Sequence, residues 1–261
     1  MKKQLLKIIK IGGNVINDEI ALSSFLKDFA ALEGSKILVH GGGKKATEVS
    51  SAMGLQPKMI NGRRVTDEAT VEVVTMVYAG LLNKKIVAQL QQFNCNALGL
   101  SGADANCILA HKRVVKDVDY GFAGDVDAIN VDFINVLLQN NVTPVFCAIT
   151  HDKKGQLLNT NADTIVSEIA IGMSKLYNTE LNFVFELNGV LKTIEDKNSV
   201  ITHINSEKYK ELIDAGIIAD GMLPKMHNCF NALEKGVGIV KIGDASLVQS
   251  ETKLYTTLSL K

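Results

Sequence analysis

The chain has 261 residues, and 28 Lys and Arg are balanced by 28 Asp and Glu. A formal net charge of zero excludes a global field for nucleic acid or an anionic membrane, so neither is expected as a partner and any anionic ligand must be drawn by local charge. Apolar residues at 46% and charged residues at 21% suit a globule with a sizeable core, and no apolar run approaches the length of a membrane span.

The amino terminus, "MKKQLLKIIKIGG", starts basic like a signal peptide, but Lys7 and Lys10 break its apolar run and no cleavage-like site follows. "LLKIIKI" (5–11) reads as a first strand closed by Gly12 and Gly13, and a helix over about 18–33 follows. "KILVH" is a second strand, and a glycine corner leads from it into a helix from about Lys44 to Met53. Thr66 or Asp67 can cap a long helix to about Phe93, with more than one apolar face and room for a subunit partner on one side. "NALGLS" is a third strand, 106–128 a hairpin at the rim, "DFINVLLQNN" a helix and "TPVFCAI" a strand. "HDKKGQ" is a tight turn, after which a loop opens the helix in "LLNTNADTIVSEIAIGMSK". The second half adds the strand "LNFVFEL", a turn at "NGV", helices near 205–215 and 221–235, the strand "VGIVKI" and a closing edge strand in "KLYTTLSL". Strands alternating with helices predict an α/β fold on a mainly parallel sheet. The four cysteines (Cys95, Cys107, Cys147, Cys229) are far apart, without a CxxC or metal-like cluster, and read as reduced thiols of a cytoplasmic protein.

Four corners stand where strands end and helices begin, the edge at which open α/β sheets bind ligands: "KIGGN" (10–14), "HGGGKK" (40–45), "NTNAD" (159–163) and "ADGMLPK" (219–225). "HGGGKKAT" has neither Walker A nor GxGxxG spacing, so its glycines read as an amide nest for a carboxylate or phosphate, or as a packing corner. Lys10 ends a strand beside a glycine pair, where a lysine is costly unless it meets an anion or reaches solvent from an edge. Taken alone, Lys225 is a surface helix lysine, Asp163 a helix-capping carboxylate, and Asn159 and Asn161 turn residues.

Together, "IIKIGGN", "LVHGGG", "NGRRVT", "NTNAD" and "DGMLPK" resemble, in order and spacing, the amino acid kinase family over about residues 5–259. "HGGG" followed roughly twenty residues later by "NGRRVT" resembles the members that phosphorylate the side-chain carboxylate of an N-acylated glutamate, in arginine synthesis. It argues against those acting on carbamate, free glutamate, aspartate or uridylate. The resemblance implies a three-layer αβα sandwich with a mainly parallel central sheet, divided into lobes over 1–175 and 176–261 on a single continuous sheet. The first lobe would bind the acyl-amino acid and carry the dimer contact; the second would bind ATP. Lys10 and Lys225 would stabilise the transferring phosphoryl group, with Asp163 holding both lysines. Gly42, Gly43, Arg64, Asn159 and Asn161 would bind the acyl-glutamate. Gly12 and Gly13 would offer amides to the nucleotide phosphates. Glu186, Leu187, Asn188, Gly189, Val190 and Leu191, with Ile217, Ile218, Ala219 and Asp220, would line the nucleoside pocket. Mg²⁺ would arrive with ATP and need no direct protein ligand.

The chain departs from the family pattern at Glu186, where aspartate is common and Phe185 precedes, and at "GADAN" (102–106), which has fewer glycines than the usual loop. No motif reads the acyl end, so N-acetyl-L-glutamate and another acyl-glutamate such as N-succinylglutamate both fit. A non-catalytic nucleotide- or amino-acid-binding regulatory protein is the alternative from another class, disfavoured by the joint presence of Lys10, Lys225 and Asp163. Only about four residues precede the first strand, where arginine-inhibited hexamers of the family carry a helix; a homodimer insensitive to arginine is expected.

Overall fold

The computed structural model describes residues 3–193, 195–218, 222–249 and 254–261. The chain forms two compact units, one of residues 1–37 with 166–261 and one of residues 38–165. This division is not the continuous 1–175 and 176–261 split expected above. Its physical basis is β1 (Leu5–Ile11), which pairs in parallel along its whole length with β11 (Asn178–Val184) and so joins the chain's start to its second half.

In the first unit the strand order is β12 (His203–Ile204), β14 (Thr256–Leu258), β13 (Ile239–Gly243), β11, β1, parallel except for the antiparallel β13–β14 pair. The carboxyl-terminal strand is thus not the edge strand expected: the two-residue β12 lies outside it. Leu6, Ile8, Ile9 and Ile11 of β1 are buried, as a near-continuous apolar run on an interior parallel strand requires. A short helix, α1 (Gly13–Asn17), precedes α2 (Glu19–Ala31), which starts where the Asp18 carboxylate accepts the Ile20 and Ala21 N–H groups at 3.0 and 2.9 Å. Phe25, Leu26 and Phe29 are the buried face of α2. Helices α8 (Ser206–Asp214) and α9 (Leu223–Glu234) also belong to this unit, α9 lying on β13.

In the second unit β2 (Ser35–His40), β8 (Thr143–Phe146) and β5 (Ala97–Leu100) run in parallel. The rim is more than a hairpin. The paired β6 (Ile108–Lys112) and β7 (Ala123–Ile129) close a small barrel with β9 (Ile149–His151) and β10 (Leu157–Thr160). "LLNT" is therefore a strand rather than a loop, and the closure needs Gly124, whose β-carbon would stand 2.4 Å from Thr160 Oγ1. A two-stranded ribbon, β3 (Met59–Ile60) and β4 (Arg63–Arg64), carries the "NGRRVT" motif.

Helix α3 (Gly43–Ala52) follows β2, α6 (Val131–Gln139) lies on β8, and α7 (Ala162–Met173) follows β10. The long helix begins at Asp67, whose carboxylate accepts the Thr70 N–H at 2.8 Å. It is not uniform: α4 (Glu68–Thr75) and α5 (Asn83–Gln92) flank a π-helical segment at Met76–Leu82.

Candidate active site

Two of the glycine corners can be built in detail, one in each unit. In the second unit, β2 delivers His40 to the corner. The His40 ring is fully buried, and burial pushes its pKa down to about 4 despite the Gly41 carbonyl contact, with Lys84 adding to the depression. Its Nδ1 lies 2.8 Å from the Gly41 carbonyl oxygen, which can only accept, so the neutral ring carries its proton there. Nε2 then accepts from the Asn83 Nδ2, 3.1 Å away, which also donates to the Val145 carbonyl at 2.9 Å.

Gly42 stands at the amino end of α3, and a β-carbon there would lie 2.5 Å from Leu82 Cδ1 and 2.8 Å from Tyr78 Cδ1. The π-helical turn places those two side chains against the loop, and only glycine fits beneath them. Around Gly43 nothing would obstruct a β-carbon within 4 Å, so this residue opens outward. Lys44 is exposed, and Lys45 pairs with Glu48 along the helix surface at 2.9 Å.

Arg64 reaches this corner from β4. Its Nη2 donates to the Gly43 carbonyl at 2.9 Å and to Thr47 Oγ1 at 2.8 Å. The residue is 8% exposed, and its Nη1 is buried without a hydrogen-bond acceptor among the described residues. A buried guanidinium with half its fork unfilled is suited to a carboxylate. Asn159, in β10, donates from its backbone to the Phe122 carbonyl and from Nδ2 to Thr66 Oγ1 at 3.0 Å, tying "NTNAD" to "NGRRVT". Asn161 caps α7: its Oδ1 accepts the Asp163 and Thr164 N–H groups at 2.7 and 3.4 Å. Asp163 is left as a half-buried carboxylate in the first turn rather than the cap.

In the first unit, Lys10, Gly12, Gly13, Glu186, Leu187, Gly189 and Lys225 line one cavity of about 300 Å³ with Phe185, Met222 and Ile242. The Gly12 N–H donates to the Val184 carbonyl at 3.1 Å, so it extends the β1–β11 ladder and is not the phosphate-facing amide expected. What Gly12 supplies is closeness, since a β-carbon would lie 3.1 Å from that oxygen. The Lys10 and Lys225 ammonium groups sit 5.2 and 4.2 Å from the centroid of the same Phe185 ring. Asn188, Val190 and Leu191 do not line the cavity. The Val190 N–H donates to Thr256 Oγ1 at 2.8 Å, and both apolar side chains are buried. Ile218 is likewise buried, Ile217 is 39% exposed, and Ala219 and Asp220 lie outside the described residues.

Sequence reasoning missed His40, Tyr78, Leu82, Asn83 and Phe185. Asn83 carried a usable signal, a polar residue among the apolar positions of the long helix. Phe185 had one too, an aromatic beside a strand end where the lysines converge.

A mainly parallel sheet with cations and glycines at its strand ends defines an α/β protein that handles anions there. The model of the amino acid kinase family matches residues 6–244, and the chain belongs to that family. It is 52% identical over 248 residues to the acetylglutamate kinase of Cytophaga hutchinsonii, covering 94% of both chains. The acetylglutamate kinase of Phocaeicola vulgatus is 50% identical over 94% of this chain and 96% of its own. Among solved structures, smu.665 from Streptococcus mutans superimposes with a TM-score of 0.77 at 26% identity, covering 98% of this chain and 99% of that one.

Proposed function

We propose that the chain transfers the γ-phosphoryl group of ATP to the side-chain carboxylate of N-acetyl-L-glutamate, a step of arginine biosynthesis. The observation that carries the reading is Arg64, buried over Gly43 with Nη1 unfilled, in a chain half identical to two acetylglutamate kinases over nearly its full length. Arg64, with Gly42, Gly43 and Asn159 around it, is the holder of the acceptor. The cavity around Lys10 and Lys225 is the phosphate end of the nucleotide site, with Glu186, Leu187 and Gly189 further along it.

A carboxylate oxygen of the acceptor attacks the γ-phosphorus, the bond to the β-phosphate oxygen breaks, and ADP leaves with an acyl phosphate as product. The attacking carboxylate is already ionised near neutral pH, so no general base is needed. Negative charge spread over the equatorial oxygens must be stabilised, and two lysines do this as compact point charges. Asp163 is the carboxylate that the family resemblance pairs with them. Mg²⁺ enters with the nucleotide. Phosphate oxygens and water would be its ligands.

A homodimer and a cytoplasmic location complete the reading. Met76 and Leu81, 52% and 41% exposed on the long helix, give a second copy an apolar contact. All four cysteines are buried thiols, which suits a reducing compartment.

The test offers Mg·ATP with N-acetyl-, N-succinyl- or free glutamate and traps acyl phosphate with hydroxylamine. Product from N-acetylglutamate is expected. Product from N-succinylglutamate alone would reassign the acyl group, and no product from either acylated substrate would overturn the kinase reading.

A further inference from the structure

We propose that Phe185 is a positioning residue that holds the ammonium groups of Lys10 and Lys225 over one aromatic ring before the nucleotide binds. The proposal rests on the phosphoryl-handling role given to those lysines above. Three observations lead to it. Both Nζ atoms lie within 5.2 Å of the ring centroid, and all three residues line the same cavity. In the β1–β11 register Lys10 pairs with Phe183, so Phe185, two residues on, is its diagonal neighbour on the same face of the sheet. The ring is itself anchored: it stacks on Phe183 with centroids 5.9 Å apart and planes 10° apart, Phe183 is 1% exposed, and the Phe185 N–H donates to the Gly243 carbonyl at 2.8 Å.

The chemistry explains why an aromatic ring serves here. Two ammonium groups brought to one place repel, and fixing a lysine side chain costs rotamer freedom. The negative face of the ring attracts both without being an anion. An aliphatic side chain would exclude water but give no directional hold. The ring's attraction is weak enough for a charged phosphoryl oxygen to displace, since charge-assisted hydrogen bonds to an anion are stronger. The lysines are therefore partly ordered in advance and still free to move onto the transferring group, which lowers the cost of reaching the transition-state geometry.

The experiment compares the wild type with Phe185→Leu, Phe185→Tyr, Lys225→Ala and the double variant Phe185→Leu/Lys225→Ala. Steady-state kcat and KM for ATP and N-acetylglutamate are measured, with the thermal midpoint of each protein. Phe185→Leu should lower kcat about 5- to 20-fold, the scale of the lysine rotamer freedom that the ring removes in advance, while KM for N-acetylglutamate stays within about twofold. Phe185→Tyr, which keeps the ring, should retain kcat. In the Lys225→Ala background the Leu substitution should cost much less than alone, because part of its effect passes through that lysine.

Wild-type kcat in Phe185→Leu would overturn the proposal. So would equal impairment of the Tyr and Leu variants, or losses that simply multiply in the double variant. Failure of the underlying reading looks different: the wild type makes no acyl phosphate, or Lys225→Ala is as active as the wild type.

Discussion

Asn83 holds His40 by its side-chain amide across 3.1 Å, and through it fixes the Gly41 carbonyl at the mouth of the acceptor corner. The contact requires a neutral imidazole, because a protonated Nε2 cannot accept from an amide N–H.

This makes the second unit sensitive to acid. The His40 pKa falls from 6.5 to about 4 on folding, so between these values the unfolded chain binds the proton and the folded chain does not. Stability then rises with pH through this window and is lost as pH falls. Denaturant unfolding at pH 7 and pH 5.5, above the range where the carboxylates titrate, should differ by about 1 kcal/mol from this residue. His40→Gln should flatten that dependence; an unchanged pH slope would separate His40 from it.

Gly42→Ala should destabilise by about 1–3 kcal/mol, since its β-carbon would overlap Leu82 and Tyr78. Adding Leu82→Ala removes the nearer obstacle. Thermal unfolding of the pair should show a combined loss smaller than the sum of the single losses.

Arg64→Lys keeps the charge and loses the guanidinium that joins Gly43 and Thr47 and that we propose holds the acceptor. KM for N-acetylglutamate should rise about 10-fold or more with KM for ATP nearly unchanged, the scale of a charge-assisted hydrogen bond. Loss of ATP affinity instead would overturn the assignment of the acceptor to this unit.

Ala105 adopts φ of 49°, a left-handed conformation, in the "GADAN" segment where Asp104 accepts the Ser101 N–H and Oγ–H. Ala105→Gly should stabilise by about 0.5–1 kcal/mol, because the strain of the β-carbon there exceeds the added entropy of the unfolded chain. Urea midpoints measure this directly.

Much of the fold was legible because it is written locally. Asp18 and Asp67 cap helices, apolar runs form the inner strands, and glycines turn the corners. The parts that were not legible depend on contacts distant in sequence. The π-helical turn at Met76–Leu82 presses Tyr78 and Leu82 onto Gly42, more than thirty residues earlier, and helical periodicity alone does not distinguish it. "LLNT" becomes a strand only because three other strands close around it. β14 loses its edge to β12, two residues whose pairing no local pattern announces. In the candidate site, the cations and glycines were legible as residue types at strand ends. Their neutral partners were not: the buried His40 and the Phe185 ring acquire meaning only from what packs against them. Asn161 read as a turn residue because an asparagine in a turn and an asparagine capping a helix look alike in sequence.

The pairing of β1 with β11 has a consequence for how the protein is made. Leu5 must find Asn178, so the opening strand leaves the ribosome long before β11 exists. Residues 38–165, by contrast, contain a whole compact unit and are complete earlier. Synthesis therefore favours an order in which the middle of the chain folds first, while the β11-facing edge of the apolar amino-terminal strand stays open until residues 178–184 arrive.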